Sequence, residues 1–147
     1  MRLPYETSTA GDKALMELQR VLGKFGCQSF GTGIDAERGV TTVWFAWRDR
    51  KVQLEASWKG YAQAMLRGRK PHWKAEINRE AERRALEQAK ISVCSCLRDW
   101  VKGQVTAVEC GVMSFEAAFM PHILLKDGRR VLDHIVSSNL LPPPVKE

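Results

Sequence analysis

The sequence VWFAWRDRKVQLEASWKGYAQAMLRGRKPHWK, residues 43–74, decides both the fold and the charge distribution of the chain. It begins with β-branched and aromatic residues and then alternates apolar with polar ones, which is typical of half-buried strands. Apolar residues at three- and four-residue spacing follow, and they predict a helix. The stretch therefore predicts two strands that lead into a helix and then into a loop.

This stretch, which we call the basic window, carries all of the excess positive charge. It contains eight Lys/Arg and two Asp/Glu, a net charge of +6, whereas the rest of the chain has 15 of each sign and is neutral. Four of the five tryptophans also lie in it. Clustered positive charge with interleaved aromatic rings is typical of a surface that holds a polyanion and stacks on flat groups.

Length and composition predict a single folded domain. A chain of 147 residues can bury a core, and its 27% of charged residues is ordinary for a globular protein. We expect one α+β domain over residues 1–140 and a flexible Pro-rich tail over residues 141–147. No apolar run approaches the ~20 residues of a membrane span, and the start lacks the apolar region of a secretory signal. We therefore expect a cytoplasmic protein without a membrane partner.

The segments before and within the basic window predict a helix followed by a three-stranded antiparallel meander. Leu15, Leu18 and Leu22 recur at helical spacing, and Gly26 is a typical helix end. Three strand-like segments follow, joined by short polar turns, at residues 27–34, 40–47 and 52–56.

The middle strand has two faces of different character. Val43 and Phe45 share one face, whereas Trp44 and Arg48 share the other. If the first helix covers the face of Val43, then Trp44 and Arg48 point outward together. The alternative is that helices cover both faces and every ring belongs to the core.

A helix over residues 57–67 is expected to place Trp58, Tyr61 and Ala62 on one side. Residues 69–74 cannot easily continue it, because Pro71 lacks a backbone donor and biases the preceding residue toward extended conformations. The resulting loop displays cations around Trp73. The alternative is a solvated linker in which Trp73 packs back onto the domain.

A long helix is predicted from Ala75 to Cys110, about 50 Å in length. Its first half is dense in oppositely charged pairs at three- and four-residue spacing, and its second half has one apolar stripe. We expect the second half to pack on the domain and the first half to project. A projecting charged half suggests a homo-oligomer through this helix. The alternative is a helix that lies across the sheet with its charged side in water.

The remaining segments give little sign of catalysis. Residues 115–120 predict a short helix capped by Ser114, and residues 122–132 predict a hairpin turning at Asp127–Gly128.

The four cysteines lack metal or disulfide spacing, so we expect free thiols that are buried or half-buried. Glu55 and Lys59 are four residues apart, whereas a metal-dependent nuclease site has a carboxylate and a lysine separated by one residue, so that both lie on one strand face. We therefore expect no enzyme, no metal and no cofactor.

Several short motifs resemble one family. They are Gln88-Ala-Lys-Ile91, Val108-Glu-Cys-Gly-Val112, Phe115-Glu-Ala-Ala-Phe119, Pro121 and Asp127-Gly128-Arg129, together with the strand pair before the Tyr61 helix. Over about residues 40–131 the chain resembles small proteins that bacteriophage and prophage genomes encode. That family has no assigned activity. The resemblance implies a viral context, hence a bacterial host cytoplasm, and no particular chemistry.

These observations predict a non-catalytic protein that binds nucleic acid, DNA in preference to RNA, with little sequence specificity. Interleaved aromatic rings favour single strands over duplex, in recombination, annealing or replication. The predicted contact residues are Trp44, Arg48, Arg50, Lys51, Trp58, Lys59, Arg67, Arg69, Lys70, Trp73 and Lys74. The alternative is a protein-interaction module that binds a host protein through the long helix and the basic aromatic surface. A third option is an enzyme whose site assembles only on folding.

Overall fold

The computed structural model describes residues 2–146 and shows an α+β fold. Its elements are α1 (Gly11–Phe25), β1 (Ser29–Asp35), β2 (Val40–Trp47), β3 (Arg50–Ser57), α2 (Trp58–Leu66), α3 (Ala75–Glu109), α4 (Phe115–Phe119), a 3-10 turn (Met120–His122) and α5 (Val131–Ser137). Residues 141–146 form no helix or strand, and the ends of the predicted domain and tail, Met1 and Glu147, lie outside the described residues.

The sheet is the predicted three-stranded antiparallel meander, in the order β1-β2-β3. Its register is continuous, with Trp44 opposite Gly31 on one side and opposite Gln53 on the other. Gly39 closes the first turn with a φ of 68°, which glycine adopts without strain.

Helices cover one face of the sheet, as the alternation in β2 predicted. Val43 and Phe45 are buried against Leu18 and Leu22 of α1, together with residues of α3 and α4. The opposite face, which we call the outer face, carries Trp44 with its neighbours Gly31 and Gln53. The fold therefore leaves one side of the sheet free of a covering helix layer at its centre.

The long helix α3 joins the two halves of the structure. Gly11 lies against Ile91, and Glu17 pairs with Lys102 at 3.0 Å, so α1 runs in the same direction as α3. On another side of α3, α2 forms a second buried cluster whose members are Trp58, Ala62, Ala85, Ala89 and Val93. No residue between 75 and 84 is buried, so the start of α3 lacks a core as predicted, but Ala85 and Ala89 of the same half pack against α2, and the prediction that the whole first half projects was wrong.

Three predictions about local structure were wrong in whole or in part. The hairpin over residues 122–132 turns at Asp127–Gly128 as predicted, but it is short, with one bridge from Leu124 to Arg130, and the chain then continues into α5. Cys96 and Cys110 are exposed, although all four thiols are free as expected. Arg48 does not continue the outward face of β2, because the strand ends at Trp47 and Arg48 adopts a φ of 47° in the turn.

None of the helices formed by residues 2–146 is both long and apolar enough to cross a bilayer.

Truncation of Phe119 should destabilise the fold strongly. Its ring is 0% exposed and contacts Phe45 edge-on, with ring centroids 5.5 Å apart. We expect Phe119→Ala to lower the free energy of unfolding by about 3–5 kcal/mol in urea titrations, and Phe119→Leu by roughly 1 kcal/mol. The exposed neighbour Met120 is the control, and Met120→Ala should change stability by less than about 0.5 kcal/mol. Equal losses at the two positions would contradict this packing.

Candidate nucleic-acid interface

The segment between α2 and α3, residues 67–74, forms an exposed cationic loop around one aromatic ring. We call it the basic loop. Trp73 is 83% exposed, and its indole stacks on the His72 ring with centroids 5.7 Å apart. The ammonium of Lys74 lies 5.0 Å from the indole centroid. The alternative in which Trp73 packs back onto the domain is therefore not what the structure shows.

Side-chain hydrogen bonds hold the basic loop in place. The backbone N–H of His72 donates to Asn78 Oδ1, and Asn78 Nδ2 donates to the His72 carbonyl, both at 2.8 Å. The backbone N–H of Lys74 donates to His72 Nδ1 at 3.0 Å. Because Asn78 belongs to the first turn of α3, the loop is anchored to a helix, and Trp73 is presented by an ordered backbone.

The cations of the basic loop are available to a ligand. Arg67, Arg69, Lys70 and Lys74 are all exposed, and within residues 2–146 none of them lies within ion-pair distance of a carboxylate. The nearby carboxylate of Glu80 is instead engaged by Arg83 and Arg84, whose hydrogen bonds lower its pKa to about 2. The loop therefore has a local charge of +4 that neighbouring acids do not pair.

A groove runs beside the basic loop, between α2 and the first half of α3. It has a volume of about 680 Å³, and Arg69 lies at its edge together with Met65, Ile77 and Glu76. Its lining mixes apolar side chains with charges of both signs. The groove can accept a side chain of a partner, but it lacks the uniform positive charge of the loop.

Trp44 forms a second aromatic feature on the outer face of the sheet. It is 40% exposed, and its Nε1 donates to Gln53 Oε1 at 3.0 Å. The ring lies over β1, where a Cβ on Gly33 would come within 2.8 Å of it, and Gly31 is also beneath it. Glycines at these two positions let the indole lie flat on the strand, which leaves its other face to solvent.

A charged network on the outer face fixes the position of Gln53. The Arg38 guanidinium donates to Glu55 at 2.8 Å, Gln53 donates to Glu55 at 3.2 Å, and Arg130 lies 3.6 Å from the same carboxylate. The hydrogen bond from Arg38 and the charge of Arg130 hold the pKa of Glu55 below its usual value. Trp44 is thus held through Gln53 by the Glu55 carboxylate.

The other predicted contact residues are dispersed. In the β2–β3 turn, Arg48 stacks on the Trp47 ring at 4.4 Å, Arg50 pairs with Glu116 at 3.5 Å, and Lys51 is exposed. At the other end of the sheet, Lys59 packs over the Gly39 turn. Seven residue steps along β3 separate the two ends, about 23 Å at 3.3 Å per residue. The basic window is therefore not one surface.

Trp58 is a correction to the sequence prediction. It is only 4% exposed and belongs to the cluster between α2 and α3, while Lys90 covers its ring at 4.7 Å. It cannot stack on a base in this structure. Its spacing from Ala62 already placed it on the apolar side of α2, and this signal correctly indicated burial.

Sequence reasoning missed the residues that support the rings of Trp73 and Trp44. Asn78 and Gln53 hold the segments that carry Trp73 and Trp44, and Gly33 makes room for Trp44. The cross-strand position of Gln53 follows from the register, which the sequence alone does not give. The sequence did contain one signal for this arrangement: Gly31 and Gly33, two residues apart in β1, leave room for a ring to lie across that strand.

Another cleft lies between β3, α2, α3 and the 3-10 turn. It has a volume of about 420 Å³ and is lined mainly by apolar groups, among them Leu54, Leu97 and Trp100, with His122 at its wall. Burial lowers the pKa of His122, and its Nδ1 has no hydrogen-bond partner among the described residues.

Over residues 2–146 no group of three His, Cys, Asp or Glu is arranged to hold a metal ion.

No protein-family model, curated protein or solved structure matches the chain.

The ionised state of Glu55 should contribute to stability in a pH-dependent way. Its pKa is depressed in the folded state, so the contribution is present above the unfolded pKa, about 4.3, and is lost as the pH falls through the folded value. We expect Glu55→Gln to lower the free energy of unfolding by roughly 1–2 kcal/mol at pH 7, and by less below about pH 4.

The measurement is urea unfolding of both proteins at several pH values. Glu37→Gln is the matched control, because Glu37 is exposed in the neighbouring turn, and it should change stability by less than about 0.5 kcal/mol. A loss that is the same at pH 3 and pH 7 would contradict the role of the Glu55 charge.

Proposed function

We propose that this protein is a non-catalytic nucleic-acid-binding protein whose main contact is the basic loop. The observation that carries the proposal is Trp73, which is 83% exposed beside four cations that pair with no carboxylate among the described residues. An indole held in water contributes nothing to the fold, whereas a base that stacks on it would remove apolar surface from solvent. The adjoining cations would neutralise phosphates on either side of the stacked base.

The magnitudes favour single-stranded nucleic acid. A base stacked on an aromatic side chain contributes about 1–3 kcal/mol, and a duplex does not offer its base faces. Four phosphate contacts on a single strand give a slope of about −2.8 in log affinity against log salt. A fourfold increase in salt should then weaken binding about 50-fold.

The outer face offers a second place for stacking. Trp44 has one side of its indole covered by β1 and the other side open, and the polar contact at its Nε1 is already made by Gln53. A base could stack on the open side without breaking that hydrogen bond. Lys51, exposed on the same face of the sheet, would supply a cation to the flanking phosphate.

The proposed biological setting rests on the sequence resemblance alone. A phage-encoded protein that holds single-stranded DNA without reading its bases would act in recombination, annealing or replication in the host cytoplasm. The groups that lie against the Trp73 ring are the His72 ring and the Lys74 ammonium, which can contact any base or phosphate, and this supports binding without sequence specificity.

A second candidate function is supported by the groove beside the basic loop. Met65 and Ile77 line it, and none of residues 75–84, at the start of α3, is buried, so this part of the molecule can accommodate a protein partner. A partner with an acidic surface would be attracted by the same loop cations. Under this alternative the protein is a phage-type adaptor or inhibitor of a host protein.

Fluorescence anisotropy with labelled single- and double-stranded oligonucleotides tests the proposal. We expect Arg69→Glu/Lys70→Glu to weaken single-strand binding at least tenfold, and to reduce the salt slope by about 1.4 because two phosphate contacts are lost. Trp73→Ala should weaken binding about 5- to 150-fold through lost stacking, with little change in the slope.

The matched control is Lys13→Glu/Lys24→Glu, which makes the same change of net charge on the exposed side of α1. It should bind almost as the unaltered protein does. If control and loop variants lose equal affinity, only net charge matters and the basic loop is not the interface. Absence of binding at low salt would overturn the proposal and favour the protein-partner alternative.

A further inference from the structure

The outer edge of β1 is the open edge of the sheet. Among residues 2–146, β1 pairs only with β2, whereas the edge of β3 is met by Ile123, which bridges Val52, and by the Leu124 N–H, which donates to the Lys51 carbonyl. Within the described residues no bridge is formed at the other side of β1. The backbone donors and acceptors that point away from β2 along this strand are therefore free to pair with another strand.

β1 lacks the features that usually protect an edge strand. Natural edges are blocked by lysines, prolines, bulges or a covering segment. The strand reads SFGTGID, without a lysine, an arginine or a proline, and its seven residues pair with β2 without a bulge. Ile34 is 68% exposed, and although the start of α1 comes close to β1 on the helix-covered side of the sheet, no backbone hydrogen bond joins the two among the described residues.

The sequence of β1 is complementary to itself. Antiparallel pairing of two copies, centred on Thr32, would place Thr32 opposite its counterpart, Gly31 opposite Gly33, and Phe30 opposite Ile34. An aromatic residue opposite a β-branched one is a favourable cross-strand pair. Asp35, the one charged residue of the strand, would face Ser29 rather than another carboxylate, so no like charges meet directly.

We propose that two copies of this chain associate through β1 in antiparallel register about Thr32 and form one six-stranded sheet. This surface differs from the long helix, which the sequence suggested for self-association. The contact would run along one strand of seven residues, about 23 Å long, so each copy would bury a small area. Such an area lies at the low end for specific interfaces, so the dimer should be concentration-dependent.

The proposed dimer would also bring the two outer faces together. Each Trp44 ring lies over Gly31 and Gly33 of its own β1, the same residues that would pair across the two-fold axis. Each indole reaches from β2 over its own β1, so the two rings would lie above neighbouring strands of one continuous surface. The dimer does not depend on nucleic-acid binding, and it can be tested without any ligand.

The test is sedimentation velocity or light scattering over about 2–200 µM protein, a range suited to micromolar dissociation constants. We expect the mass to rise from 16.6 kDa toward twice that value. Thr32→Lys places two ammonium groups opposite each other and should keep the protein monomeric throughout the range. Thr32→Glu should do the same, and circular dichroism checks that both variants stay folded.

A mixture of the two variants provides the decisive result. Equal amounts of Thr32→Lys and Thr32→Glu should restore the dimer, because each ammonium then faces a carboxylate, and salt should weaken it. Thr106→Lys, on the exposed side of α3, is the matched control and should dimerise like the unaltered chain. A monomer at 200 µM, a dimer that survives Thr32→Lys, or a mixture that stays monomeric would overturn the proposal.

Discussion

The helices of this protein pack on a single face of a three-stranded sheet, and the rest of the structure depends on that constraint. Val43 and Phe45 face inward against α1, α3 and α4, so alternation along β2 forces Trp44 outward. Three strands are too few to surround a core alone, and one covered face is enough to stabilise them. The exposed indole and the open edge of β1 both follow from this arrangement.

The long helix α3 converts the small sheet into a larger domain and separates its functional parts. Its second half completes the core below the sheet, while its middle buries Trp58 and Ala62 of α2. Its first turn supplies Asn78, which holds the loop that carries Trp73. The same helix thus sequesters one tryptophan of the basic window and presents another.

Much of the fold was predictable because strand and helix periods are local properties. The stripe of Leu18 and Leu22 and the alternation around Trp44 gave the meander, its inward face and its first helix correctly. The orientation of Arg48 was not predictable in this way. Alternation applies only within a strand, and the turn that follows β2 sets the conformation of Arg48. α5 was missed because its seven residues pack as a short surface helix with no strong periodic signal.

The candidate site was predictable in composition and only partly in geometry. The basic loop follows from Pro71 and its cations, but the separation of the β2–β3 turn from that loop depends on the direction of β3, which a count of charges does not contain.

The central claim is that Trp73 contacts nucleic acid, and photo-crosslinking of a single-stranded oligonucleotide bearing 5-iodouracil, followed by peptide mass spectrometry, tests it most directly. The account predicts adducts on the peptide that contains His72 and Trp73, and their loss at high salt. Adducts confined to other parts of the chain, or an unchanged yield from Trp73→Ala, would contradict it.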